Sequence, residues 1–461
     1  MRLARLLPIL LTLAVASCAS PESSDDAGGT GGASSKGGNN GSGGDSGSTG
    51  GKTGTGGSNA SGGSTGTGGT VATGGATGTG GAGKGGTTGT GGTPATGGTT
   101  GKAGASGTGG TPGTGGTGGA ASSAICKFAS GLNVAWVNFA NDIPNPNLAT
   151  FNTIFTNSAS VGGRVIRWWF HTNGTVTPGY DSSGKAMALT TGAMNDLVSL
   201  ANAAHAAGVA LNISLWSFDM LQGSGSGENI PTATLTNNQN LLTVDDNRNA
   251  YINNVLIKLV TALKGNPGVY SYEIFNEPEG MSAEYGWTDS SSNKGLSVPE
   301  AMIQRTVNWF ASAIHTTDPS ARVTNGSQTF DYCSTASGKN NLYSDTALRN
   351  AGGMQNGTLD FYEVHYYAEN GTSDSPFLNA ASHWGLDKNL VMGEFWAVTT
   401  DGVNGADLYT TLYNTGYNGA WAWNYETNDD NGGNPMTAWP TMKTPMQNLY
   451  TAQMATLNAC P

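Results

Sequence analysis

Two glutamates close β-rich runs in sequence contexts that leave their carboxyl groups free for chemistry. Glu277 ends Ile274-Phe275-Asn276-Glu277-Pro278, and Glu394 ends Met392-Gly393-Glu394-Phe395. Two carboxyl groups facing one another across a cleft can divide acid and nucleophile work. Cleavage of an acetal linkage between sugars needs that division: one acid protonates the departing oxygen, and one carboxylate meets the carbon that becomes cationic. Other run ends bring matched groups. Val165-Ile166-Arg167-Trp168-Trp169 supplies a guanidinium and indoles, Val364-His365-Tyr366-Tyr367 an imidazole and phenols, and Ala420-Trp421-Ala422-Trp423 two more indoles.

These groups converge only if their elements share one end of a single scaffold. The strand candidates are Asn133–Phe139, Val165–Phe170, Ala210–Phe218, Val269–Asn276, Arg322–Ser327, Leu359–Tyr367, Leu390–Ala397 and Gly419–Tyr425. Between them, Met194–Ala207 and Asn247–Leu263 show apolar residues at helical spacing. Val298–His315 and Leu408–Tyr413 fill later gaps, and Pro445–Leu457 closes the chain. Eight alternations of this kind predict an α/β fold, a (β/α)8 TIM barrel, with chemistry at the C-terminal ends of its strands. A doubly wound sheet would show a glycine-rich phosphate turn after its first strand, and none follows Phe139. Glu277 and Glu394 then stand three strands apart in a ring of eight, facing across its mouth.

The chain outside this scaffold has a different composition. Of 73 glycines in 461 residues, 43 lie between Pro21 and Ala120, where Val71 is the only branched aliphatic and no aromatic occurs. Such a segment cannot bury enough apolar area to offset its ordering entropy, so a disordered Gly/Ser/Thr-rich linker is expected. As a flexible coil, 100 such residues span about 50–60 Å. Before it, Arg2 and Arg5 precede an apolar run too short to span a bilayer, which reads as a secretory signal. The expected organisation is a signal peptide over 1–17, a linker over 18–123 and a catalytic domain over 124–461. The residues from Ala121 onward carry 14 basic and 27 acidic side chains, which disfavours nucleic acid or anionic lipid as a partner. A monomer is expected.

Asn276-Glu277-Pro278, Gly393-Glu394-Phe395, Arg167, His365, Tyr367 and Trp423, in that strand order, resemble glycoside hydrolase clan A and most closely family 5. The resemblance spans about Gly131 to Tyr425. It implies that Glu277 is the general acid/base and Glu394 the nucleophile of a retaining mechanism. It also implies that Arg167 and Tyr367 hold Glu394 ionised, that Asn276 grips the sugar 2-hydroxyl and that Trp423 lies under the ring in the −1 subsite. Tyr366 replaces Tyr367, and Trp421 replaces Trp423, if the register slips by one residue. Trp168, Trp169, Trp216, Trp287 and Trp396 are candidate subsite walls for a polymer, whereas Trp384 reads as core. Family 5 cellulases usually carry a histidine near the third strand end, where this chain reads Ser214-Leu215-Trp216-Ser217-Phe218-Asp219. That departure, and the Arg-Trp-Trp-Phe-His171 run, favour an endo-β-1,4-mannanase over an endo-β-glucanase. A non-catalytic glycan-binding surface protein is the alternative from another class.

Val15-Ala16-Ser17-Cys18 resembles a bacterial lipobox, which implies acylation of Cys18. Ala19 is not the aspartate that often retains lipoproteins at the inner membrane, so outer-membrane or cell-surface display is implied. No cofactor or metal is expected: His-Glu-x-x-His, Cys-x-x-Cys and P-loop patterns are absent. Gly223-Ser-Gly225-Ser-Gly227 matches a nucleophile-elbow string but lies in a polar run without a strand-to-helix turn. Asp429-Asp430-Asn431-Gly432 reads as a solvated loop in preference to a calcium site. Cys126 and Cys460 bracket the domain and are paired as a guess, leaving Cys333 free; the other pairings stay open.

Overall fold

The computed structural model describes residues 127–425 and 439–459. The signal, Cys18, the linker, Cys126, Asp429–Gly432 and Cys460 lie outside the described residues.

Eight parallel strands close on themselves in chain order: β1 Ala129–Ala135, β2 Val165–Trp169, β3 Ala210–Ser217, β4 Val269–Asn276, β5 Val323–Ser327, β6 Tyr362–His365, β7 Leu390–Glu394 and β8 Gly419–Ala422. The ring closes where Gly131 of β1 pairs with Trp421 of β8. Helices fill the connections: α1 Leu148–Ser160, α2 Thr191–Ala206, α3 Thr232–Thr243, α4 Asp245–Tyr251, α5 Ile257–Leu263, α6 Glu300–Thr317, α7 Asp345–Gly352, α8 Leu408–Asn414 and α9 Trp439–Leu457. No described helix is long and apolar enough to cross a membrane.

The helices form for local reasons. In α2 the Thr190 side chain accepts from Ala193 N, while Leu197, Leu200, Ala201 and Ala204 turn one face to the core. In α6 the buried face is Ile303, Val307, Phe310, Ala311 and Ile314. The predicted helix Asn247–Leu263 forms as α4 and α5 joined by a π-helical turn, Ile252–Leu256. Helix α3 carries little contrast between its faces, and α1 and α7 form where no helix is predicted.

The first strand departs from expectation. It begins at Ala129 instead of Asn133 and stops at Ala135, which adopts the left-handed conformation with φ 52°. Ala-Ser-Gly looks like loop sequence. Yet a Cβ on Gly131 would stand 2.2 Å from Val165 O and 2.7 Å from Trp421 Cδ1, so only glycine permits the packing that closes the ring.

Strand alternation layers the barrel interior. Ala129, Val165, Ala210, Tyr270, Phe361, Val391 and Trp421 form an apolar plug. Two residues further along, the same strands present Arg167 and Glu363, joined by Asn133, Asn212 and Glu273 in a buried polar layer. Another two residues bring Trp169 and His365 to the mouth, where Trp423, two residues past Trp421 of the plug, packs against Trp169.

Candidate active site

Arg167 is the hub of the site and is fully buried. Its Nη1 donates to Glu394 Oε1 at 2.5 Å and to Asn133 Oδ1 at 2.9 Å. Its Nη2 donates to Asn276 Oδ1 at 2.7 Å and to Glu273 Oε1 at 2.6 Å. Nε donates to Glu273 Oε2 at 2.7 Å. Tyr367 Oη donates to Glu394 Oε2 at 2.6 Å, so each oxygen of that carboxylate receives a hydrogen bond.

Glu277 follows β4 in the left-handed conformation, φ 44° and ψ 53°. That turn takes the chain sharply out of the strand into the 3-10 turn Pro278–Met281. The energetic cost of such a conformation in a non-glycine residue is of order 1–3 kcal/mol and is typical of functional positions. His365 Nδ1 lies 2.8 Å from Glu277 Oε1 and 3.6 Å from Glu394 Oε1. One ligand atom from each of Glu277, His365 and Glu394 falls within 4.8 Å of the others. Carboxyl groups this close fit double-displacement geometry, in which separations of about 5 Å are usual.

Burial separates the two carboxyl groups in their affinity for a proton. It pushes Glu277 well above the usual carboxylate range, reinforced by the charges of Glu394 and Glu279. Burial also lifts Glu394, but Arg167 and the Tyr367 hydrogen bond pull against it, leaving it at about 7. The proton therefore resides on Glu277 and the charge on Glu394. Burial and the Arg167 charge push His365 far down, so its imidazole is neutral.

The mouth is walled by indoles. Trp136, Trp169 and Trp423 contact one another, with ring centroids 5.3–5.9 Å apart. Trp396 packs on Tyr367 at 5.0 Å and bridges to Trp423. Asn276 Nδ2 donates to Ser217 Oγ, whose hydroxyl bonds Asp219.

The structure thus brings Arg167, Asn276, Glu277, His365, Tyr367, Glu394, Trp169, Trp396 and Trp423 to one place. Trp216 is elsewhere: it is a core residue, packed against His171 and Tyr251. Asn212 and Ser217 both reach inward although five positions apart, so the strand's alternation breaks and Trp216 turns outward. Trp168 likewise lies in the core, its Nε1 on Asp142. Trp287 is half-buried, edge-on to Phe218. Trp384 is core, stacked on Phe330. The register alternatives fall away, because Tyr366 bonds Asp401 and Trp421 lies in the plug. Cys333 is a buried free thiol.

Four participants escaped sequence reasoning. Trp136 sits just past the end of β1, a position visible only once that strand's end is known. Asn133, Glu273 and Glu363 lie deep in the barrel, two residues before a mouth position or nearly so, and the inward alternation could have marked them.

A family model described as cellulase (glycosyl hydrolase family 5) matches residues 127–439. A mannan endo-1,4-beta-mannosidase of Cryptopygus antarcticus is 32% identical over 323 residues, covering 66% of this chain and 81% of the relative. Another, of Mytilus edulis, is 32% identical over 315 residues, with 64% and 83% covered. Among solved structures, the β-mannanase from blue mussel superposes with a TM-score of 0.61 at 31% identity, covering 70% of this chain and 92% of that one. The endo-1,4-β-mannanase from Eisenia fetida gives 0.61 at 29% identity, with 70% and 90% covered.

Proposed function

The chain belongs to the cellulase family of glycosyl hydrolases, family 5, and from that premise we propose that it is a retaining endo-β-1,4-mannanase. The observation that carries this reading is the match to two mannan endo-1,4-beta-mannosidases at 32% identity.

In the proposed cycle, Glu394 attacks the anomeric carbon while Glu277 gives its proton to the departing glycosidic oxygen. Glu277, now a base, then draws a proton from water, which releases the sugar from Glu394. The raised proton affinity of Glu277 suits the acid role, and the two hydrogen bonds on Glu394 suit the nucleophile. Asn276 has an amide hydrogen left for the sugar 2-hydroxyl. Trp423, Trp169 and Trp396 supply apolar faces for C–H stacking, and His365 orients Glu277.

Glu277→Ala and Glu394→Ala are each expected to abolish hydrolysis while leaving the circular dichroism spectrum unchanged. Wild-type turnover in either variant would remove that residue from its role. The substrate is tested by incubating the protein with mannan, glucomannan, xylan, β-glucan and carboxymethyl-cellulose and sizing the products. Short and intermediate oligosaccharides from mannan are expected. Cleavage of carboxymethyl-cellulose alone would instead favour a β-1,4-glucanase, the activity that the family's description names, and no product at all would favour a glycan-binding protein.

We further propose acylation at Cys18 and display on the outer membrane or cell surface, with the glycine-rich region as tether and the protein monomeric. Palmitate label absent from this protein but present in a control lipoprotein would overturn the anchor.

A further inference from the structure

Three buried carboxyl groups crowd one guanidinium: Glu394 of the catalytic pair and, beneath it, Glu273 and Glu363. Arg167 has five N–H bonds, and all five are occupied. Nε and one Nη2 hydrogen hold Glu273, the other Nη2 hydrogen holds Asn276, and the Nη1 hydrogens hold Asn133 and Glu394. Glu363 Oε1 lies only 2.9 Å from Arg167 Nε. The single Nε hydrogen nevertheless points to Glu273, and Glu363 Oε1 has no hydrogen-bond partner. Its other oxygen receives one long bond, 3.4 Å, from Asn212 Nδ2, which bonds Glu273 more closely at 3.0 Å. An ionised carboxylate with no donor on one oxygen is very costly in a dry interior.

We propose that Glu273 is the positioning residue of the active site, an anion that sets the guanidinium plane, and that Glu363 beside it is held as a neutral carboxylic acid. Glu273 grips Arg167 through two parallel bonds, a geometry that fixes the plane as well as the distance. With that edge fixed, Nη1 must face Glu394 and Nη2 must face Asn276. The Arg167 charge is then divided between two anions instead of three. Glu394 stays ionised without being held so tightly that it loses nucleophilicity. Burial and the charge of Glu273 both favour the protonated form of Glu363. Both neighbouring strands leave room for the cluster by using glycine. A Cβ on Gly326 would stand 2.4 Å from Glu273 Oε1, and one on Gly393 would stand 2.5 Å from Glu363 Oε1.

The inference rests on Glu394 being the nucleophile. The titratable and charged groups that face it are Arg167 from β2, Glu273 from β4, Glu277 just after β4, Glu363 and His365 from β6 and Tyr367 just after β6. Removing the Glu273 charge lowers the proton affinity of Glu394, because that charge raises it. The acidic limb of kcat/KM should therefore move to lower pH.

The test compares Glu273→Gln and Glu363→Gln in the full chain. Glu273→Gln is expected to move the acidic limb down by about one pH unit and to lower kcat at least tenfold. Glu363→Gln, which resembles the neutral acid, is expected to keep the limb in place. The infrared difference between wild type and Glu363→Gln at neutral pH should show one protonated-carboxyl C=O band lost. A limb that does not move in Glu273→Gln, one that moves in Glu363→Gln, or the loss of a carboxylate band in place of the acid band would each overturn the proposal. Should Glu273→Gln fail to fold, the Glu363→Gln profile and the infrared comparison still decide. The infrared measurement needs no substrate. A wild-type protein inactive on every polysaccharide would thus sink the enzymatic reading while leaving the placement of this proton separately testable.

Discussion

Burial raises the proton affinity of both Glu277 and Glu394, and the difference between them comes from what touches each. Glu394 meets a guanidinium and a phenol, whereas Glu277 meets a neutral imidazole and the field of other carboxylates. Tyr367 favours the charged form of Glu394 by donating to it. Without that bond the carboxyl holds its proton to higher pH. Tyr367→Phe should therefore shift the acidic limb of kcat/KM upward, opposite in sign to Glu273→Gln, and should lower kcat. An unchanged pH–rate profile would show that the phenol does not control the nucleophile. Asn276, Glu277 and Glu394 were legible from residue type and spacing, since each follows a recognisable β-rich run. Glu273 was not, because a glutamate three residues before a strand's last position gives no sign of which way it faces.

The strands position these groups through their two-residue alternation. Val165, Arg167 and Trp169 face inward in β2, which puts Trp168 in the outer core. Phe361, Glu363 and His365 do the same at β6. In β3 the pattern fails near the end, and Trp216 is lost from the site. Closure between β8 and β1 relies on Tyr409 of α8, whose hydroxyl donates to Gly131 O at 2.6 Å and accepts from Ala422 N at 3.1 Å. Tyr409→Phe would leave a buried carbonyl and a buried amide unpaired. We expect it to lower stability by about 1–3 kcal/mol, read as a reduced denaturant midpoint with an unchanged m-value. Gly393→Ala should be worse for function than for folding, because its methyl group collides with Glu363 one residue from the nucleophile. Its kcat should fall while a folded spectrum persists.

At the scale of the whole chain, every described residue placed in the site lies between Asn133 and Trp423. Removal of residues 1–123 should leave kcat/KM on soluble mannan within about twofold, while abolishing retention in the membrane fraction if Cys18 is the anchor. A large fall in kcat/KM would assign the glycine-rich region a part in substrate handling. The same arrangement makes attack on insoluble substrate the more sensitive readout of the tether, because reach matters only where the substrate cannot diffuse.

The sequence by itself determined the (β/α)8 barrel, the strands that carry the carboxyl pair and the compositional break before the domain. Each depends on periodicity, short motifs or bulk composition, which are local properties. Tertiary structure alone decided which of several tryptophans reach the mouth, where β1 begins and how many carboxyl groups share Arg167. Those depend on closure of the ring, on a broken alternation in β3 and on the exhaustion of one guanidinium's five hydrogens. A count of donors against acceptors exists only once the strands have brought distant residues into contact.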